Sequence, residues 1–159
     1  MSRRNISKKR FPIADPTYNS YLVSLLVTRI LKSGKKNLAQ NIVNEAFDII
    51  KSKTNEDPLK VFNQAMDNVR PTMEVRPRRV GGAAYQVPMP VRGPRKESLA
   101  IRWIVMSANS KSNSEFHTYA EKLASEIMDC AKGEGLAVKK RTDMERVAES
   151  NKAFSHFNW

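Results

Sequence analysis

One stretch of this chain, RPRRVGGAAYQVPMPVRGPRK from Arg76 to Lys96, restricts the available folds more than any other. Its four prolines lack backbone N–H groups, which excludes both an interior helix and a central sheet strand. Around Gly81-Gly82 the pattern alternates with period two. Met73, Val75 and Pro77 share one face of a first run, and Tyr85, Val87 and Met89 share one face of a second. The segment therefore predicts a two-stranded β-hairpin over 72–92, isolated so that its free edges tolerate the prolines. Placing both apolar sets on one side requires paired positions to sum to an even number. A strict two-residue turn would pair 80 with 83, so a three- or five-residue loop or a bulge is expected, with glycine supplying φ > 0.

Everywhere else the apolar spacing is helical. Tyr18–Lys32 carries Leu22, Leu26 and Ile30 with Val23, Val27 and Leu31 beside them, and Gly34 ends it. Asn37–Lys51 places Ala39, Ile42, Val43, Ala46, Phe47 and Ile50 on one face. A third helix starts at Asp57-Pro58, an N-cap followed by a first-turn proline, and stops near Arg70 before Pro71. Glu97–Asn109 follows the hairpin, and a polar linker spans Ser110–Ser114. Glu115–Ala131 comes next, ended by Gly133 and Gly135. The Thr142/Glu145 capping-box pattern predicts the start of a last helix running through Phe154. The expected fold is mainly α: a six-helix, bundle-like single domain over 1–159. A β-hairpin arm protrudes from it, and a flexible basic N-terminal arm occupies 1–16.

Charge indicates what this fold would bind. Residues 1–10 hold Arg3, Arg4, Lys8, Lys9 and Arg10 and no acid. Residues 70–102 hold Arg70, Arg76, Arg78, Arg79, Arg92, Arg95, Lys96 and Arg102 against Glu74 and Glu97. These two segments account for +11 of a net charge of +12, a concentration that solubility does not require and a polyanion-binding face does. Guanidinium groups fork onto phosphate oxygens, and roughly eight such contacts make binding steeply salt-dependent. Lys35-Lys36 in the first helix–helix turn is a further basic group. Lys139, Lys140 and Arg141, expected just before the last helix, sit where acids would suit the helix dipole better. Tyr85 is placed to stack on a base or to pack across the strands on Met73 and Val75.

Catalytic chemistry has no foothold. The histidines are His117, on a polar helix side, and His156, among Phe154, Phe157 and Trp159. There is no CxxC, HExxH or Walker loop, so no metal, cofactor or small-molecule substrate is expected. Cys130 is the single cysteine and lies in an apolar helical pattern, consistent with a buried thiol in a reducing compartment. No apolar run approaches the ~20 residues that span a bilayer, and the basic start is not followed by a signal-peptide core. A DNA-architectural protein using a β-ribbon with a proline wedge at Pro88 and Pro90 remains the alternative on these grounds.

RRVGGAAYQVP closely resembles the signature of the ribosomal small-subunit protein seven family, of bacterial and organellar type. The resemblance extends through DPTYNSYLVSLLVTRILKSGKK, NVRPTMEVRPRRVGG, LAIRWI and the end of the chain. It implies a helical domain with a protruding hairpin that binds small-subunit rRNA directly and early and organises the subunit head. The hairpin would lie near the mRNA exit path and the exit-site tRNA. Carried over by position, Arg76, Arg78, Arg79, Gly81, Gly82, Tyr85 and Gln86 belong to the hairpin. Arg95, Lys96 and Arg102 match its base and the following helix, Lys35 and Lys36 match the basic turn, and Arg3, Arg4 and Lys8 to Arg10 match the arm. Glu145–Trp159 matches the region that touches protein eleven of the head and platform. The chain departs from the family in the linker ANSKSNSEF, where only Lys111 is basic, and at Glu145, where a histidine is common. The resemblance implies a ribosome in a bacterial cytoplasm or an organelle. Twelve asparagines and abundant lysine point toward an AT-rich genome and a plastid.

Overall fold

Helical periodicity becomes six α-helices in the computed structural model, which describes residues 12–157. They are α1 (Tyr21–Ile30), α2 (Lys36–Thr54), α3 (Pro58–Val69), α4 (Gly93–Ser110), α5 (Tyr119–Lys132) and α6 (Leu136–Ser150). A 3-10 helix, Lys152–Phe157, follows, and the strands β1 (Met73–Val80) and β2 (Ala83–Pro90) form a two-stranded antiparallel sheet. The predicted mainly α fold with one hairpin is the observed one.

A single core of buried side chains joins all six helices, including Phe47, Phe62, Leu26, Met66, Ile104 and Leu123. Aromatic packing concentrates between α2 and α3, where Phe47 and Phe62 lie 5.7 Å apart. Tyr18 meets Phe47 edge-on at 5.0 Å. Asp57 caps α3 as expected, accepting a hydrogen bond from Leu59 N at 3.1 Å. Ahead of α1, the buried Asp15 accepts from Thr17 N and Tyr18 N, while Ser24 Oγ donates to Ile13 O at 2.5 Å. Residues 13–18 are thereby tied onto the helical body. The predicted arm residues Arg3, Arg4, Lys8, Lys9 and Arg10 lie outside the described residues.

Three helix starts differ by a turn or more from the sequence expectation, and the first is α4, which begins at Gly93 instead of Glu97 with Pro94 in its first turn. The capping box belongs to α5, where Thr118 Oγ1 accepts from Glu121 N and Glu121 accepts from Thr118 N. The helix therefore begins at Tyr119, not Glu115. Helix α6 begins at Leu136 on Gly135, so Thr142 lies mid-helix and its hydroxyl donates to Lys139 O. Burial of Ala137 and Val138 draws this first turn into the helix, and Lys139, Lys140 and Arg141 fall inside it rather than before it.

The hairpin register also differs. Val80 pairs with Ala83 across a strict two-residue turn whose glycines sit at φ +57° and +89°, the conformation that glycine adopts without strain. The apolar sets consequently lie on opposite faces, because Tyr85 opposes Arg78, Val87 opposes Arg76 and Met89 opposes Glu74. Proline explains the choice. In a two-residue hairpin the flanking pair is hydrogen-bonded, and the two pair types then alternate. Pro77, Pro88 and Pro90 oppose Gln86, Val75 and Met73, all at non-hydrogen-bonded positions where the N–H would point outward. Val91 N donating to Thr72 O at 3.0 Å continues the same alternation beyond the strands. An even-sum register would put Pro77 in the opposite class from Pro88 and Pro90, losing ladder bonds.

The ribbon is not free along its length. Tyr85 packs on Phe154 and Phe157, at 5.3 Å from each ring, instead of on Met73 and Val75. At the root, Glu145 of α6 accepts from Thr72 N (3.0 Å) and Thr72 Oγ1 (2.7 Å). A two-stranded hairpin alone is marginal in water, so this aromatic brace supplies the missing cover. Truncating both rings, Phe154→Ala with Phe157→Ala, is expected to raise amide exchange in β2 by about tenfold or more, at ~0.5–1.5 kcal/mol per aromatic pair. Exchange in α2 and α3 should stay unchanged; unaltered exchange in β2 would mean the brace carries no stability.

Candidate nucleic-acid interface

Several of the sequence-predicted cations are already engaged within the protein. Glu74, 4% exposed, is held by two arginines: Arg76 Nε donates to its Oε1 at 2.7 Å and Arg95 Nε to its Oε2 at 3.2 Å. Because Arg95 lies in the first turn of α4, this clamp fixes the ribbon root against that helix. Arg70 pairs with Asp67 at 2.5 Å. Arg141 Nη1 donates to Asn68 O at 2.6 Å, and its Nε lies 3.7 Å from Glu145. Arg76 and Arg95 orient the ribbon, Arg141 ties α6 to α3, and the Arg70 pair stays within the end of α3. Arg76 and Arg95 still expose about half of their side chains (52% and 45%).

The remaining cations have no ion pair among the described residues. Arg78 and Arg79 flank the ribbon tip, beside the exposed Gly81 and Gly82, with Gln86 exposed on the returning strand. Arg92, Lys96 and Arg102 lie at the ribbon base and along α4, and Arg102 Nε is buried without a hydrogen-bond partner. Lys139 and Lys140 lie on the second turn of α6. Lys35 and Lys36 follow a turn in which Ser33 and Gly34 both take left-handed conformations, φ +52° and +73°.

That turn has neighbours the sequence reading missed. Arg29, Lys32 and Lys35 rim a cavity of about 520 Å³ between the end of α1, the start of α2 and the end of α4. Their spacing of three residues was the available signal, masked because Arg29 and Lys32 follow an apolar helix face.

Lys111, the only cation of the α4–α5 linker, turns inward. Its Nζ donates to Asp129 Oδ2 (2.6 Å) and Ser125 Oγ (2.9 Å), and lies 3.4 Å from the fully buried Glu126. Lys122 Nζ in turn donates to Lys111 O at 2.7 Å and to the Asn113 side chain. The linker is built on internal bonds and offers phosphate no lysine. Pro88 is buried, and Pro90 opposes Met73 at the ribbon root, so neither proline stands at the tip as a wedge.

No three His, Cys, Asp or Glu side chains converge among the described residues, and no helix there is long and apolar enough to cross a membrane. Burial and the adjacent Glu126 push the Cys130 thiol far above its ordinary range, which leaves it protonated and unreactive. His156 Nδ1 lies 2.9 Å from Ala153 O in the 3-10 helix. His117 is exposed, and its backbone N–H donates to Glu121 Oε2 at 2.9 Å.

A helical frame here presents unpaired cations on a ribbon tip and a helix turn, an arrangement suited to a polyanionic partner. Comparison with known proteins makes this specific. The chain belongs to the family described as ribosomal protein S7p/S5e, which it matches over residues 2–152. It is 58% identical over 147 residues to small ribosomal subunit protein uS7c of Trieres chinensis, covering 92% of this chain and 91% of that one. It is 54% identical to uS7 of Carboxydothermus hydrogenoformans and 51% identical to uS7 of Thermotoga neapolitana, over the full length of both partners in each case. It is thus a structural, non-enzymatic protein of the small ribosomal subunit, acting in translation.

Proposed function

We propose that this chain binds small-subunit rRNA directly and organises assembly of the subunit head. The observation that carries this is the pair Arg78–Arg79, unpaired among the described residues at the tip of a ribbon whose root is locked by Glu74 and Glu145. The locked root presents the tip cations without the entropy cost of ordering them on binding. Arg92, Lys96, Arg102, Lys35, Lys36, Lys139 and Lys140 extend the phosphate-binding surface, with Arg3, Arg4, Lys8, Lys9 and Arg10 as an arm. Recognition is of RNA shape, since A-form helices hide their major-groove base edges.

The ribbon points this grip toward the exit-site tRNA and the mRNA exit path, and the C-terminal region from Glu145 onward meets protein eleven. The family resemblance supports both placements. The compartment proposed is a bacterial cytoplasm or a plastid stroma, supported by the asparagine- and lysine-rich composition and the likeness to uS7c.

Arg78→Ala with Arg79→Ala should lower the slope of log affinity against log salt by about two units on a head-domain rRNA junction, close to one per lost phosphate contact. A slope identical to that of the unsubstituted protein would remove the ribbon tip from the interface.

A further inference from the structure

Helix α6 and the 3-10 helix that follows it grip the ribbon at both ends. At the root, Glu145 accepts from Thr72 N and Thr72 Oγ1. Toward the tip, Phe154 and Phe157 each hold the Tyr85 ring at 5.3 Å. Asn151 joins the two grips: its Nδ2 donates to Val147 O at 2.8 Å, and its carbonyl accepts from Phe154 N at 3.0 Å. Tyr85 lies directly opposite Arg78, and such pairs project from the same face of a ribbon. The clamped ring therefore stands beside one of the two tip arginines, while Arg79, one residue on, projects from the other face.

The two grips differ in their backing. The root is held by α6, which buries Ala137, Val138 and Ala148 in the body. Among the described residues, none of the six in the 3-10 helix is buried, and its main packing partner is β2. A segment with so little burial opens locally at small cost. We propose that residues 151–157 are a strap that opens and closes on the ribbon, and that its closure is linked to polyanion binding at the tip. Closed, the strap fixes Tyr85 and, beside it, Arg78. Open, it leaves the tip as a lone two-stranded hairpin, marginal in water. A polyanion that binds the ordered tip more tightly holds the strap closed, and closing the strap raises the affinity of the tip by the same factor. The proposal rests on the RNA-binding reading of the tip and adds an internal element that governs it.

Two experiments on the full chain test it. In the first, amide exchange is followed at Phe154 and Phe157 without RNA and with saturating head-domain rRNA junction. Tyr85→Ala should speed exchange there without RNA, leaving α2 and α3 unchanged; unaltered exchange overturns the strap. The junction should slow exchange at both positions in the unsubstituted protein but not in Tyr85→Ala. Equal slowing in both would mean that RNA touches the strap directly, and overturns the linkage. In the second, Phe154→Ala with Phe157→Ala is titrated with the junction across salt, with folding checked by melting. Because no charge is removed, the salt slope should stay unchanged. Affinity should fall about tenfold at each salt concentration, as for a binding-competent tip populated about a tenth of the time. Unchanged affinity overturns the linkage. If the unsubstituted protein fails to bind the junction at all, the RNA-binding reading and the linkage fail together, and exchange in Tyr85→Ala without RNA still decides the strap.

Discussion

Glu126→Ala is expected to lower the unfolding free energy by about 3–5 kcal/mol, the cost of breaking a buried charge pair from one side. Glu126 is fully buried on α5 and its two oxygens face different tasks. Oε1 accepts from Ala137 N at 3.0 Å, satisfying an otherwise orphaned donor in the first turn of α6 and placing a negative charge at that helix's positive end. Oε2 faces Lys111 Nζ at 3.4 Å as an ion pair without hydrogen-bond geometry. Alanine would leave a cavity, an unpaired Ala137 N–H and a Lys111 whose remaining carboxylate partner is Asp129. Glu126→Gln keeps the acceptor and the volume and should cost about half as much. The check is chemical denaturation of the three proteins; an alanine variant within about 1 kcal/mol of the unsubstituted chain would show that the hub is not structural.

The second large effect sits one turn away. A Cβ built on Gly135 would lie 2.5 Å from Cys130 Sγ, 3.0 Å from Cys130 N and 3.1 Å from Glu126 Oε1. Its φ of −62° is ordinary, so the requirement for glycine here is space and not backbone conformation. Gly135→Ala should therefore destabilise by about 1–3 kcal/mol, as overpacking in a dense core does. Adding Cys130→Ala removes the sulfur but not the backbone nitrogen, so the double variant should recover part of the loss relative to the sum of the two single changes. Strict additivity in a double-mutant cycle would contradict the steric account.

These two positions illustrate where the sequence was legible and where it was not. Gly133 and Gly135 both read as helix punctuation, yet only Gly133 takes a left-handed conformation, φ +86°, while Gly135 makes room for a sulfur. Helices α2 and α3 were plain because a wide apolar stripe and an Asp-Pro start leave little choice. Helix α6 was not, because it buries only Ala137, Val138 and Ala148, and a Thr–Glu pair mimicked a start that in fact lies at Gly135. Apolar alternation alone favours an even-sum hairpin register, and the missing proline donors override it. Opposite-face placement is tolerated here because Glu74, facing Met89, is neutralised by Arg76 and Arg95.

At the candidate interface, the cations are legible in the sequence but their engagement within the protein is not. Arg70 and Arg76 pair with carboxylates two or three residues away, whereas Arg95 and Arg141 are anchored to partners 21 and 73 residues away in the chain, a relation no local pattern reveals. Arg78, Arg79, Lys35 and Lys36 remained as expected, exposed or half-exposed and unpaired among the described residues. The cavity beneath Lys35 arises from three helix ends and could not be seen before the fold.

The account is tested most directly by competition for the purified chain between a small-subunit head-domain rRNA junction and duplex DNA, from low to physiological salt. It predicts selective binding of the junction that survives physiological salt, since shape recognition adds to the screened phosphate attraction. Equal binding to both, lost by physiological salt, would contradict it and reduce the basic surface to unselective charge.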